Sequence, residues 1–100
     1  MAVASVVIPA HNEAATIGRN LRALRRGTGA DLDVVVVCNG CTDATADAAR
    51  AADPSARVIE IPQPSKAEAV RIGNAATDVF PRIHLDADIE LDGTAALRLI

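Results

Sequence analysis

The sequence predicts an α/β protein of three layers, in which helices cover both faces of a mainly parallel sheet with strand order 3-2-1-4. Short runs rich in β-branched residues alternate four times with helical segments along the 100 residues, which is the pattern of a parallel α/β sheet. The unbroken run Val34–Val37 is typical of a central strand buried on both faces. Because crossovers are right-handed, a chain that winds one way and then reverses places its first strand beside its fourth.

The first strand and helix are predicted from local pattern. Ala4–Pro9 is rich in β-branched residues and ends at a proline, so it is predicted to be a strand. Asn12 is the expected cap of the first helix, with Glu13 in its first turn. Apolar residues then follow at helical spacing, at Ile17, Leu21 and Leu24. The sequence Gly27-Thr28-Gly29 is expected to end this helix.

The remaining elements follow the same alternation. The second, third and fourth strands are predicted at Leu32–Cys38, Arg57–Ile61 and Val79–Leu85. Thr42 or Asp43 is expected to cap a second helix that runs to about Ala52. Ser65 and Glu68 match a capping box that opens a third helix to about Ala76. A last helix is predicted to begin near Gly93-Thr94.

Composition excludes several classes of function. Half of the residues are hydrophobic, 23% are charged and the formal net charge is −3. Phe80 is the single aromatic residue, so the chain lacks both the basic surface and the stacking rings of nucleic-acid binders, and we expect no nucleic-acid partner. No apolar run approaches the roughly 18 residues of a membrane span, and no basic residue precedes the first apolar run. We therefore expect a cytoplasmic location.

Polar residues follow three of the predicted strands where those strands end. Ligands of open α/β sheets bind outside the carboxyl ends of the strands, where the strand order reverses. Asp86 and Asp88 follow the fourth strand two residues apart, so both carboxylates are expected to point to one side. Paired carboxylates require neutralisation, and Mg²⁺ or Mn²⁺ bridges such groups to substrate phosphates. Helix starts after the first two strands favour an anion in the same place. A nucleotide diphosphate with a divalent metal satisfies both requirements.

Four ordered segments resemble the family 2 glycosyltransferases: Ser5–Glu13, Asn39–Thr45, Ser65–Asn74 and Leu85–Asp88. The resemblance covers nearly the whole chain. It implies half of a Rossmann-like GT-A domain, and an inverting enzyme that transfers sugar from a nucleotide-diphosphate sugar to an acceptor hydroxyl of a glycan, lipid or small molecule. It also implies dependence on Mn²⁺ or Mg²⁺.

The resemblance implies roles for single residues as well. The stretch that would hold the donor nucleoside comprises Pro9, Ala10, His11 and Glu13. Asn39 lies where the family usually has an aspartate that contacts the base, and this difference leaves the preference for uracil open. Lys66 lies where a basic residue often approaches the donor. Asp86 and Asp88 match the Asp-x-Asp motif, with Asp86 on the donor ribose and both aspartates on the metal.

The resemblance also bears on how much of an enzyme the chain contains. Residues 1–100 are expected to form the donor-binding part, apparently truncated after the Asp-x-Asp motif, with the acceptor half and the catalytic base beyond Ile100. The catalytic residue therefore stays unassigned. A fourth strand without an outer neighbour predicts association of copies through this sheet edge. The alternative function is a non-catalytic nucleotide-binding remnant.

Other residues allow competing interpretations. Cys38 and Cys41 form a Cys-x-x-Cys pair between a strand and a helix start, where a redox dithiol would also lie. The structural alternative is that Cys38 is a small buried hydrophobe and Cys41 a turn residue. His84 is expected to pack within its strand. The arginines of the first helix are expected to form a solvated face, which would also allow peripheral attachment to an anionic membrane surface: Arg19, Arg22, Arg25 and Arg26.

Overall fold

Strands and helices alternate along the chain in a computed structural model that describes residues 2–27 and 31–99. The order of elements in the described residues is β1 (Ala4–Ala10), α1 (Ile17–Leu24), β2 (Leu32–Asn39), α2 (Thr45–Ala52), β3 (Arg57–Ile61), α3 (Lys66–Ala75), β4 (Arg82–His84) and α4 (Gly93–Arg98). Every predicted strand and helix is present. None of the described helices has both the length and the apolar character needed to cross a membrane.

All strand pairs in the sheet are parallel, and the strand order is β3-β2-β1-β4. The predicted order 3-2-1-4 is therefore confirmed. β1 pairs with β2 from Ala4 opposite Leu32 to Ala10 opposite Cys38, and with β4 from Ser5 opposite Arg82. Since β1 lies between β2 and β4, the loops that follow these three strands open at one edge of the sheet.

The three layers follow from the side chains of β2, which alternate between two apolar clusters. Val34 and Val36 pack in a cluster with the apolar residues of α1, α2 and α4. Val35 and Val37 pack on the opposite face with Ala69 of α3. The unbroken valine run therefore serves both faces of a central strand, as predicted from its lack of alternation.

The predicted start of the first helix was wrong. α1 begins at Ile17, after Thr16, and the carbonyl of Glu13 accepts a hydrogen bond from the amide of Ile17 at 2.8 Å. Asn12 does not cap this helix, because its backbone has a φ of 52° and its side chain binds the loop after β2. At the other end the helix stops at Leu24 and Gly27 adopts a φ of 65°, whereas Thr28 and Gly29 lie outside the described residues.

Other boundaries differ less. α2 begins at Thr45, although the carboxylate of Asp43 does accept a hydrogen bond from the Thr45 amide at 3.0 Å. Ser65 caps α3 as predicted, since its hydroxyl accepts from the amide of Glu68 at 3.1 Å. The reciprocal half of the capping box is absent, because the Ser65 amide donates to the carbonyl of Gln63 and the Glu68 carboxylate pairs with Arg71. β4 is shorter than predicted, because Pro81 has no amide hydrogen to donate to a neighbouring strand.

Candidate functional site

A cavity of about 250 Å³ lies beyond the carboxyl ends of β1, β2 and β4. Its lining residues come from the loops after these strands and from the start of α3: Pro9, His11, Glu13, Asn39, Lys66, Asp86, Ala87 and Asp88. Seven of the residues selected from the sequence are therefore brought together here. Ala10 is the exception, because it is buried and contributes its carbonyl to the Asn39 side chain rather than a surface to the cavity.

The loops after β1 and β2 are bound to each other through side chains. The Asn12 side-chain oxygen accepts from the amides of Thr42 and Asp43, at 2.8 and 3.3 Å. In return the carboxylate of Asp43 accepts from the amide of Ala14 at 3.2 Å, and Thr45 Oγ1 accepts from the amide of Glu13 at 2.9 Å. This connection fixes the wall of the cavity that holds His11 and Glu13. Sequence reasoning missed it, because each side chain binds a loop about 30 residues away.

The connection between the two loops lowers the pKa of Asp43. Hydrogen bonds, first from the Thr45 hydroxyl and then from backbone amides that include that of Ala14, hold the pKa of this carboxyl below its usual range. The charged form of Asp43 is therefore the form that joins the two loops.

Hydrogen bonds to the backbone fix the orientation of His11 and Asn39. His11 Nδ1 lies 2.7 Å from the carbonyl oxygen of Asn39. Because a carbonyl only accepts, this geometry requires the proton on Nδ1 and leaves Nε2 as the acceptor when the ring is neutral. The Asn39 side-chain nitrogen donates one of its two hydrogens to the carbonyl of Ala10 at 3.1 Å, which turns the side-chain oxygen away from that carbonyl.

The acidic pair lies in a turn that points both carboxylates outward. Asp86 and Asp88 are exposed, whereas Ala87 between them is buried in the apolar cluster under α1. Lys66 from α3 forms an ion pair with Asp86, with Nζ and Oδ1 2.6 Å apart. Both aspartates line the cavity, although they lie in a turn rather than in the extended segment from which a shared side was expected. Ala87 also lines the cavity but was not among the site residues predicted from the sequence. Its position between the two aspartates could have indicated this role.

The donor set suits a hard divalent cation that keeps other ligands. Within residues 2–27 and 31–99, no group of three or more His, Cys, Asp or Glu side chains is arranged to hold a metal. Two carboxylates at an open cavity nevertheless match the way Mg²⁺ is held in proteins, by one or two carboxylates together with water and substrate phosphates. The residues present therefore fit such an ion in the company of a phosphorylated ligand.

Comparison with known proteins identifies the family. The glycosyl transferase family 2 model matches residues 5–100. This chain belongs to glycosyl transferase family 2. No curated protein gives a significant match.

Solved structures of glycosyltransferases share the fold of this family 2 chain. Glucosyl-3-phosphoglycerate synthase from Mycobacterium tuberculosis, in complex with Mn²⁺, uridine-diphosphate-glucose and phosphoglyceric acid, is 31% identical with a TM-score of 0.74. That match covers 92% of this chain and 36% of the synthase, so the chain spans about a third of the length of that enzyme. The S. aureus protein TarS is 17% identical with a TM-score of 0.72. That match covers 100% of this chain and 19% of TarS, and at this identity it shows the fold alone.

The Cys-x-x-Cys pair of this family 2 chain has the properties of a structural pair. Cys38 is buried at the end of β2, and burial, with the neighbouring Cys41, raises the pKa of its thiol to about 12. A reactive redox thiol has a lowered pKa, so the environment of Cys38 opposes the redox alternative. Cys41 is half-buried, and its sulfur lies 3.4 Å from the amide nitrogen of Asn12.

Two other expectations need correction. His84 lies exposed on β4, where Nε2 is 2.7 Å from the side-chain oxygen of Asn74, rather than packed within the sheet. Arg25 does not belong to a solvated face, because its guanidinium is paired with the buried carboxylate of Asp53 at 2.8 Å. Arg19 does lie at the surface, paired with Glu90 at 3.2 Å.

Proposed function

We propose that this chain binds the nucleotide-diphosphate end of a sugar donor, with a divalent metal on Asp86 and Asp88, for an inverting transfer to an acceptor hydroxyl. The observation that carries the proposal is the cavity at the carboxyl ends of β1, β2 and β4, which brings the acidic pair together with Lys66 and Asn39. Support comes from homologues solved with uridine diphosphate and either Mn²⁺ or Mg²⁺.

The charge of the cavity supports a role for the metal. Three carboxylates line it, those of Glu13, Asp86 and Asp88, against the one ammonium of Lys66. A diphosphate that entered alone would meet net negative charge, which repels it. A divalent cation on the two aspartates would reverse that interaction and, in the complete reaction, offset the charge of the departing diphosphate.

The orientation of Asn39 supports a base that donates a hydrogen bond. One of the two hydrogens of its amide nitrogen bonds the Ala10 carbonyl, which fixes the amide with its oxygen on the other side, as an acceptor like the aspartate usual in the family. Uracil presents its N3–H to such an acceptor, whereas cytosine presents an unprotonated N3. We therefore propose a uridine nucleotide, in which Pro9, His11 and Glu13 form the adjoining wall.

The test is calorimetric titration of uridine diphosphate in Mn²⁺ and in EDTA, with wild type, Asp86→Asn, Asp88→Asn and the control Asp47→Asn. Asp47 is an exposed carboxylate on α2, away from the cavity lining. With Mn²⁺ we expect both cavity variants to bind about 10-fold or more weakly, because a metal ligand is lost. In EDTA we expect Asp86→Asn to bind more tightly than wild type, because a repelling charge is removed and Lys66 is released.

The result that would contradict the proposal is equal affinity in Mn²⁺ and EDTA for the wild-type chain. Loss of affinity in Asp47→Asn as large as in the cavity variants would show that the effect is not local to the acidic pair. We expect the affinity of Asp86→Asn for uridine diphosphate to be the same in Mn²⁺ and in EDTA, since that variant lacks half of the metal site.

The alternative function is a non-catalytic nucleotide-binding module. Both functions require the binding described above, and they differ in turnover. Transfer or hydrolysis of a nucleotide sugar by this chain would reject the module. The acceptor, the base beyond Ile100, the cytoplasmic location, attachment to a membrane and association through the β4 edge remain predictions from the sequence.

A further inference from the structure

One polar side chain lies on the buried face of α1. The buried positions of this helix are Ile17, Asn20, Leu21, Ala23 and Leu24. Asn20 is 4% exposed and is surrounded by the apolar cluster that also holds Ala87. A buried amide opposes folding unless its hydrogen bonds are satisfied.

Asn20 satisfies only part of that requirement. Its side-chain nitrogen donates to the carbonyl oxygen of Ala87 at 2.7 Å, in a buried contact between residues 67 positions apart. Its side-chain oxygen has no hydrogen-bond partner among the described residues. The amide cannot be turned round, because the Ala87 carbonyl accepts only and requires a nitrogen opposite it. Asn20 is therefore suited to holding one carbonyl rather than to stabilising the helix.

The carbonyl that Asn20 holds belongs to the peptide between Ala87 and Asp88. Its direction sets the backbone torsions on either side of it, and hence the direction of the Asp88 side chain. The other end of the turn is held differently: the amide of Leu85 donates to Val7 on β1 at 3.0 Å, and Asp86 is paired with Lys66.

We propose that Asn20 is the positioning residue of the acidic turn, which holds Asp88 in the direction that metal binding requires. This inference rests on the proposed function, because it assigns Asp88 to the metal. It adds a residue outside the cavity that acts through the backbone rather than by contact with ligand. Outer residues that orient metal ligands change affinity by about 10- to 100-fold when replaced.

The test uses Asn20→Leu, which has nearly the same shape but cannot donate, with Asn20→Ala as a second variant should leucine not fit. We expect the dissociation constant of uridine diphosphate in Mn²⁺ to rise about 10-fold or more, and that in EDTA to change less than about twofold. We expect the melting temperature of Asn20→Leu to stay close to that of wild type, because loss of the unpartnered Asn20 oxygen offsets the cost of leaving the Ala87 carbonyl without its donor.

The matched control is Asp53→Asn, which weakens a buried ion pair near the start of β2, at the opposite end of the sheet from the cavity. We expect it to melt at a lower temperature yet keep the wild-type affinity in Mn²⁺. If Asn20 had only a structural role, the affinity for uridine diphosphate in Mn²⁺ would instead fall in whichever variant has the lower melting temperature. Unchanged affinity of Asn20→Leu in Mn²⁺ would overturn the inference.

A readout without ligand separates this inference from the proposed function. In two-dimensional amide spectra of the metal-free chain, Asn20→Leu should shift the resonances of Asp88 and Ile89 and leave those of α2 unchanged. If wild type fails to bind uridine diphosphate, the proposed function fails while these spectra still test whether Asn20 positions the turn. Resonances of Asp88 and Ile89 that coincide with wild type would overturn the inference under either outcome.

Discussion

Two glycines in helices provide a matched pair of substitutions with opposite expected signs. Gly73 lies in α3 against the sheet, and a Cβ atom there would lie 2.4 Å from Val7 Cγ1 and 3.3 Å from Val37 Cγ2. Gly18 lies in α1, where the nearest atoms would be the mobile end of Arg22 at 3.2 Å and Ala52 Cβ at 3.4 Å. An alanine side chain at position 73 would therefore overlap fixed atoms of the sheet, whereas one at position 18 would fit with a small movement of Arg22.

The magnitude follows from two opposing effects. Gly→Ala in a helix interior stabilises by about 1 kcal/mol through helix propensity. At Gly73 the overlap opposes this gain, because Val7 and Val37 are fully buried, β-branched and stiff, and an extra methyl group in a packed core costs about 1–3 kcal/mol. We expect Gly73→Ala to lower the free energy of unfolding by about 1–2 kcal/mol, since the overlap is severe. Gly18→Ala should raise it by up to about 1 kcal/mol.

Urea unfolding monitored by far-ultraviolet circular dichroism measures both values. For a domain of this size, 1 kcal/mol corresponds to a shift in melting temperature of about 4–8 °C, so thermal scans provide an independent measurement. The reasoning would be refuted if Gly73→Ala were as stable as wild type. It would then follow that α3 lies farther from β1 than the structure places it.

Three further outcomes are expected from the loops and the cysteines. Gly40→Ala should destabilise by about 3 kcal/mol in urea unfolding, because the residue has a φ of 57° and a Cβ would lie 2.6–2.8 Å from atoms of Pro64. Because folding lowers the pKa of Asp43, its contribution to stability is complete above the ordinary value near 3.8 and is lost as the pH falls towards the lower folded value. Urea midpoints between pH 5 and pH 2 should therefore fall less steeply in Asp43→Asn than in wild type. Titration with a thiol reagent at pH 7.5 should modify Cys41 in the native chain and Cys38 only after unfolding; rapid modification of both would restore the redox interpretation.

The sequence predicted what depends on neighbouring residues and on general rules of topology. The strands were identifiable because the valines of β2 and the β-branched residues of β1 follow one another without interruption. The strand order followed from right-handed crossovers and one reversal. The position of the cavity followed because parallel strands end at the same edge of the sheet, which places Asn39 near Asp86 and Asp88.

The missed features depend on contacts between distant segments. Asn12 has the residue type of a helix cap, but the loop after β2 offers its side chain two amides and the helix begins five residues later. Asn20 was also missed, although the sequence contains a signal for it. Positions 17, 20, 21 and 24 form one helical stripe, and the amide at position 20 interrupts an otherwise apolar face.

The acidic turn is held from both faces of the sheet by two contacts of different physical kind. Asn20 on α1 binds a backbone carbonyl in a buried hydrogen bond, whereas Lys66 on α3 pairs with a carboxylate at the surface, where the two side chains are 66% and 57% exposed. Exposed ion pairs contribute little to position and are screened by salt, but a buried hydrogen bond is not.

The salt dependence of ligand binding should therefore distinguish the contribution of Lys66 from that of Asn20. We expect the effect of Lys66→Met on binding of uridine diphosphate to fade between 0.05 M and 1 M sodium chloride, as the screening length falls to about 3 Å. The effect of Asn20→Leu on binding in Mn²⁺ should keep the same ratio to wild type over that range, because it changes the direction of Asp88 and not the charge of the cavity. A Lys66→Met effect that is constant with salt would contradict this reasoning, because it would show that Lys66 does not act through a screened charge.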